Sequence, residues 1–132
     1  MALIKAYKNH YPQIDDSVFL AENATVVGDV IIGKNSSVWY QAVIRGDVGR
    51  ISIGQETNIQ DAAILHCTTG LTPTLIGNRV VVGHRAILHG CTIEDETLIG
   101  MGAIVLDQAI VETHSIVAAG ALVTQGSRIE SG

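Results

Sequence analysis

Three histidines carry the chemistry this chain is best equipped for: His66, His84 and His89. Neutral imidazole is the commonest protein ligand for a metal ion. Three of them around one zinc leave a fourth position open for water. Each follows an aliphatic residue within two positions, in Leu65-His66, Val82-Gly83-His84 and Leu88-His89. Singly, such histidines read as surface residues; converging, they read as a metal site. Cys67 and Cys91 stand close by, and thiolate also binds zinc. The two fall at different offsets of the repeat described next, so packing is the expected role. His10 and His114 share no such setting and read as ordinary surface histidines.

The elements that must position these side chains follow a step of six. Aliphatic residues recur at Leu20, Val26, Ile32, Val38 and Ile44, at Ile53, Ile59 and Leu65, and at Ile76, Val82 and Leu88. They resume at Ile93 and run through Ile99, Val105, Val111, Val117 and Val123 to Ile129. Six is neither the helical period nor the alternation of an isolated strand. It is the period of a hexapeptide parallel β-helix, where three short strands make one coil. Four residues after most aliphatics stands a small or β-branched residue, such as Ala24, Ala42, Ala63, Ala86 and Ala103. A narrow prism has little room at such corners. Glycines directly after Ile32, Ile53, Ile76, Val82 and Ile99 are expected where the backbone turns sharply. A sandwich of short strands does not hold one step for so long. The expectation is an all-β chain, 1–132, forming one solenoid domain. Residues 1–17 lead in, and about six coils occupy 18–130.

The step breaks three times. Three residues are extra between Ile44 and Ile53, five between Leu65 and Ile76, and one is missing between Leu88 and Ile93. With those corrections, Ile44, Leu65, Leu88, Val105 and Val123 stack on one face, and Val38, Ile59, Val82, Ile99 and Val117 on the next. His66 and His89 then point outward one coil apart, about 4.8 Å by strand spacing. Arg45 falls in the same column, one coil below. His84 lies on the neighbouring face near a corner, too far round to join them in its own chain. A metal site split between chains follows, with a cyclic trimer as the natural closure. Asp61 falls directly below His84, where a carboxylate can orient an imidazole; Gln60 is beside it.

These residues resemble the γ-class carbonic anhydrases and their bacterial homologues. The likeness runs from about Tyr7 to Gly132. It is carried by Val43-Ile44-Arg45-Gly46-Asp47, Thr57-Asn58-Ile59-Gln60-Asp61, Leu65-His66, Val82-Gly83-His84 and Leu88-His89-Gly90-Cys91. The resemblance implies a left-handed β-helix assembled as a homotrimer, with metal at subunit interfaces. His66 and His89 would come from one chain and His84 from the neighbour. Zinc is the implied cofactor, and iron(II) or cobalt(II) suits the same ligands. The implied activity is reversible hydration of carbon dioxide to bicarbonate by a metal-bound hydroxide. Gln60 and Asn58 are the implied catalytic residues, with Gln60 hydrogen-bonding the bound water or bicarbonate. Arg45 and Asp47 are the charged pair expected at the subunit interface, and Asp61 an interface residue or an orienting partner for a ligand.

Two features depart from the family pattern. The prototype has a glutamate just after Arg-Gly-Asp, where this chain has Val48, and another in an acidic loop after the first ligand. Here no Asp or Glu occurs between Asp61 and Glu94, so proton export is expected to be slow and to lean on buffer. The C-terminal helix of the family is absent after Gly132, and a weaker trimer is expected.

Composition narrows the partners. The chain is 47% hydrophobic with only 4% aromatics, so its core is Val, Ile, Leu and Ala. A formal net charge of −5 argues against nucleic acid and anionic membranes. Two cysteines are too few for a disulfide scaffold, which favours a reducing, cytoplasmic setting. Two other functions fit the same repeat. One is acyl transfer or thioester hydrolysis on coenzyme A derivatives; the other is a non-catalytic metal-binding assembly subunit. Fold alone does not choose among them.

Overall fold

The computed structural model describes all 132 residues, Met1–Gly132. Eighteen parallel strands, mostly of two or three residues, and no helix make a β-solenoid of about seven turns. The three faces follow the aliphatic columns. Ile4, Val26, Ile44, Leu65, Leu88, Val105 and Val123 pair in sequence along the first face. Leu20, Val38, Ile59, Val82, Ile99 and Val117 form the second. Ile14, Ile32, Ile53, Ile76, Ile93, Val111 and Ile129 form the third. The turn beyond the expected six comes from the N-terminus. Residues 1–17 are no mere lead-in, since Leu3–Lys5 and Gln13–Ile14 both pair with Thr25–Ile32.

The columns meet inside as one core of 27 buried residues. Ile44, Leu65, Leu88 and Val105 are fully buried, and so are the corner residues Ala42, Ala63, Ala86 and Ala103. No helix is long and apolar enough to cross a membrane.

The corners use a device different from the one the glycines suggest. On regular corners the left-handed residue is the third after the aliphatic, as at Asn35, Glu56, Arg79, Glu96 and His114 after the third face. Its N–H donates to the preceding coil, as Glu56 does to Lys34 O and Arg79 to Gln55 O. The glycines directly after the aliphatics are not left-handed. They are small because the next coil lies against them: a Cβ on Gly33 would sit 2.7 Å from the Gly54 backbone, and one on Gly83 2.7 Å from Met101 N. Close approach, not turning, selects glycine there.

All three breaks in the step fall on one corner, between the first and third faces. The strands Thr25–Ile32 and Val43–Ile53 run straight through it, with a register shift after Gly28. The longer strand carries three more residues there, and Asp47 projects from that bulge. One turn on, residues 67–73 form a loop; one turn further, the corner shortens through Gly90, whose φ is +62°.

Candidate metal centre

His66 and His89 stand in register at the ends of the strands Ile64–His66 and Ile87–His89, beside this irregular corner. Their ring centroids are 5.1 Å apart, close to one strand spacing. The rings are tilted by 70°, which brings His66 Nδ1 to 3.2 Å from His89 Nε2. Two nitrogens bound to one tetrahedral zinc at ordinary bond lengths stand about 3.3 Å apart. The far side of each ring faces a carboxylate. Asp47 Oδ1 lies 2.9 Å from His66 Nε2, and the two Asp107 oxygens lie 3.1 and 3.2 Å from His89 Nδ1. A carboxylate accepts, so a neutral ring that donates to one carries its hydrogen outward and leaves its lone pair for the side facing the other ring. This donor set fits a divalent cation between the rings.

Asp47 also accepts from Arg45 Nη1 at 2.5 Å. Burial pushes the Asp47 carboxyl up, but the hydrogen bonds from His66 and Arg45 outweigh it and hold the group below the usual carboxylate range. Arg45 is half-exposed. Within one chain the expected interface pair is therefore engaged with itself and with His66.

His84 lies at the corner between the second and first faces, in the turn after Val81–Val82. It does not join the other two: no three metal-ligating side chains gather within one chain. Asp61 Oδ2 lies 3.0 Å from His84 Nδ1, as the count of coils predicts. Asn58, Gln60, Asp61, His84 and Trp39 line one surface hollow of about 250 Å³. Asn58 donates to Ser37 Oγ at 3.0 Å, while its Oδ1 is buried without a partner. Trp39 packs between Phe19 and Tyr40 and walls this hollow. The candidate residues thus fall into two groups on different corners. Arg45, Asp47, His66 and His89 form one, and Asn58, Gln60, Asp61 and His84 the other.

Residues 11–46 match a family model described as bacterial transferase hexapeptide (six repeats). The chain is 53% identical over 126 residues to γ carbonic anhydrase 1, mitochondrial, of Arabidopsis thaliana, covering 92% of this chain and 46% of that protein. It is 43% identical over 136 residues to protein YrdA of Escherichia coli, covering 98% and 74%. A crystal structure of a hexapeptide transferase family protein from Anaplasma phagocytophilum matches at TM-score 0.93 and 45% identity, covering 98% and 76%. This chain belongs to the γ-class carbonic anhydrase-like family. It spans about half the length of the plant relatives it matches.

As a member of the γ-class family the chain has one further site residue that its motifs do not contain. Asp107 lies in the coil after His89, beyond the acid-free stretch between Asp61 and Glu94. The cue available in the sequence is the step itself: Asp107 follows Val105 by two, in the column of Gly90. The cysteines are buried and free. Burial, with Asp107 and Asp47 nearby, raises the Cys67 thiol; burial pushes Cys91 up to about 12. Both favour the neutral thiol, which is a poor metal ligand.

Proposed function

We propose that the chain is a γ-type carbonic anhydrase-like metalloenzyme that interconverts carbon dioxide and bicarbonate. It works as a homotrimer, with His66 and His89 of one subunit and His84 of the next holding zinc between them. The observation that carries this reading is the 3.2 Å approach of two ring nitrogens whose outer nitrogens both face carboxylates. When bound, a divalent cation held by neutral imidazoles acidifies its water toward neutral pH. The chain supplies the rest. Asp47 and Asp107 hold His66 and His89 with their lone pairs inward. His84, with Nδ1 turned to Asp61, offers Nε2 to a neighbouring subunit. Gln60 and Asn58 share its hollow, so they reach the reaction from the same subunit as His84 and orient bicarbonate by hydrogen bonds.

Exposed apolar side chains support the assembly. Met101 and Ile116 are 58% and 71% exposed, and they border an apolar groove that reaches Gly83 and Gln60. A second copy seated there would cover them and bring its own histidine pair toward His84. The acids nearest His66 and His89 are both engaged with those rings, so the proton leaves to buffer.

Acyl transfer is the second reading, favoured by the transferase descriptions of the family model and of the Anaplasma phagocytophilum structure. It needs one histidine with a free basic nitrogen, which His84 beside Asp61 supplies, but it gives no role to the paired nitrogens of His66 and His89. Stopped-flow carbon dioxide hydration on metal-quantified protein tests the proposal. The expected rate rises with buffer concentration and is lost in His89→Ala. A metal-loaded protein without hydration that turns over acyl-coenzyme A would overturn it.

A further inference from the structure

We infer that Asp107 is a positioning residue that locks His89 in the tautomer with its lone pair on Nε2, and that the 67–73 loop holds Asp107 in place. The second half of the inference, that this lone pair serves a metal, rests on the function proposed above.

Asp107 belongs to the coil after His89, where Val105 pairs with Leu88. Its carboxylate reaches back across the corner, and Gly90 makes the passage. A Cβ on Gly90 would stand 2.0 Å from Asp107 Oδ1. The missing residue of the step and the glycine at its place therefore open the same path. Beyond it, both Asp107 oxygens lie within 3.2 Å of His89 Nδ1. The carboxylate is held from its other side by Thr68, whose hydroxyl donates to Oδ2 at 3.1 Å across 39 residues of sequence. Asp107 is only 16% exposed, so water competes weakly for these contacts.

The loop that supplies Thr68 is fastened to both histidine coils. Thr72 Oγ1 donates to Gly90 O at 2.6 Å, and Thr74 Oγ1 donates to His66 O at 2.5 Å while accepting from Gly90 N at 2.9 Å. A loop without an acid thus acts through Thr68 and Thr72, with Thr74 at the start of the strand that follows. A neutral imidazole carries one hydrogen, and a carboxylate at Nδ1 claims it. The lone pair then lies on Nε2, 3.2 Å from His66 Nδ1. With Asp107 removed the ring is free to take the other tautomer, whose Nε2–H cannot bind a cation.

The test uses the full chain. Nitrogen-15 NMR of the histidine rings in metal-free protein at pH 8 reads the tautomer, and equilibrium titration with cobalt(II) reads affinity. Wild type is expected in the Nδ1–H form. Asp107→Ala is expected to lose that form and to bind cobalt(II) about 10–100-fold more weakly. Asp107→Asn keeps an accepting oxygen and is expected to restore the tautomer and most of the affinity. Wild-type His89 in the Nε2–H form overturns the inference whatever the variants do. So does Asp107→Ala with tautomer and affinity unchanged. If wild type binds no cobalt(II) while its tautomer still follows Asp107, the metal reading fails and the lock stands.

Discussion

Asp47 and Asp107 stand behind His66 and His89, and in the tautomers proposed above the two rings would aim lone pairs at each other and repel. A cation between them turns the repulsion into two bonds. Zinc should therefore stabilise the fold, by about 2.7 kcal/mol at a free concentration a hundredfold above its dissociation constant. Calorimetry of wild type should show the melting temperature rising with zinc, and His89→Ala should abolish the rise. An equal rise in both would mean zinc binds elsewhere. The same scale explains the cysteines. With Cys91 pushed up to about 12 by burial, and Cys67 also raised, neither thiol should react with a disulfide reagent in the native protein at pH 8. Both should react after unfolding. Rapid native labelling of Cys91 would contradict its burial.

The regular coils make a frame that presents His84, Asn58, Gln60 and Asp61, while the groups around His66 and His89 come from the places where the frame is broken. An insertion presents Asp47, a longer one supplies the threonine loop, and a deletion at Gly90 admits Asp107. Close stacking sets the tolerance of the frame. Gly83→Ala would press a Cβ against the Met101 backbone and should cost about 1–3 kcal/mol by urea unfolding. Leu88→Ala empties the middle of the first column and should cost about 2–5 kcal/mol. The corner pairs act more weakly. Arg79 and His114 both hydrogen-bond Glu96 and hold its carboxyl below the usual range. A lowered folded value stabilises the protein above the unfolded carboxyl value and loses that contribution as pH falls through the folded one. An NMR titration should find the Glu96 midpoint lower in wild type than in Arg79→Ala. At this scale the sequence made the columns, their stacking partners and the three breaks legible, because the period of six is enforced by burial at every coil. The reason for the glycines was not legible, since neighbour distance is invisible before the coils are stacked. The left-handed corners at Ala62, Arg85 and His114 were hidden because these residues carry no turn signal. Asp107 was hidden because its reach depends on a shortened corner one coil below.

Across the whole molecule, the candidate residues occupy two separate corners: His66 and His89 on one, His84 with Asn58, Gln60 and Asp61 on the other. The count of coils foretold this division from aliphatic spacing alone. It placed Asp61 behind His84 but did not convey that the other two histidines are backed in the same way, His66 by Asp47 and His89 by Asp107. On the function proposed above, each corner is half of a centre that is completed only against another copy. In the proposed homotrimer, chains carrying His66→Ala and chains carrying His84→Ala would each lack a ligand at every interface of their own assembly. The decisive measurement is the metal content of the two variants unfolded together, refolded at equal concentration and exposed to zinc. In a cyclic trimer formed at random, the mixture should regain about a quarter of the wild-type zinc per chain, while each variant alone retains none. A mixture that binds no more zinc than either variant alone would contradict the shared centre.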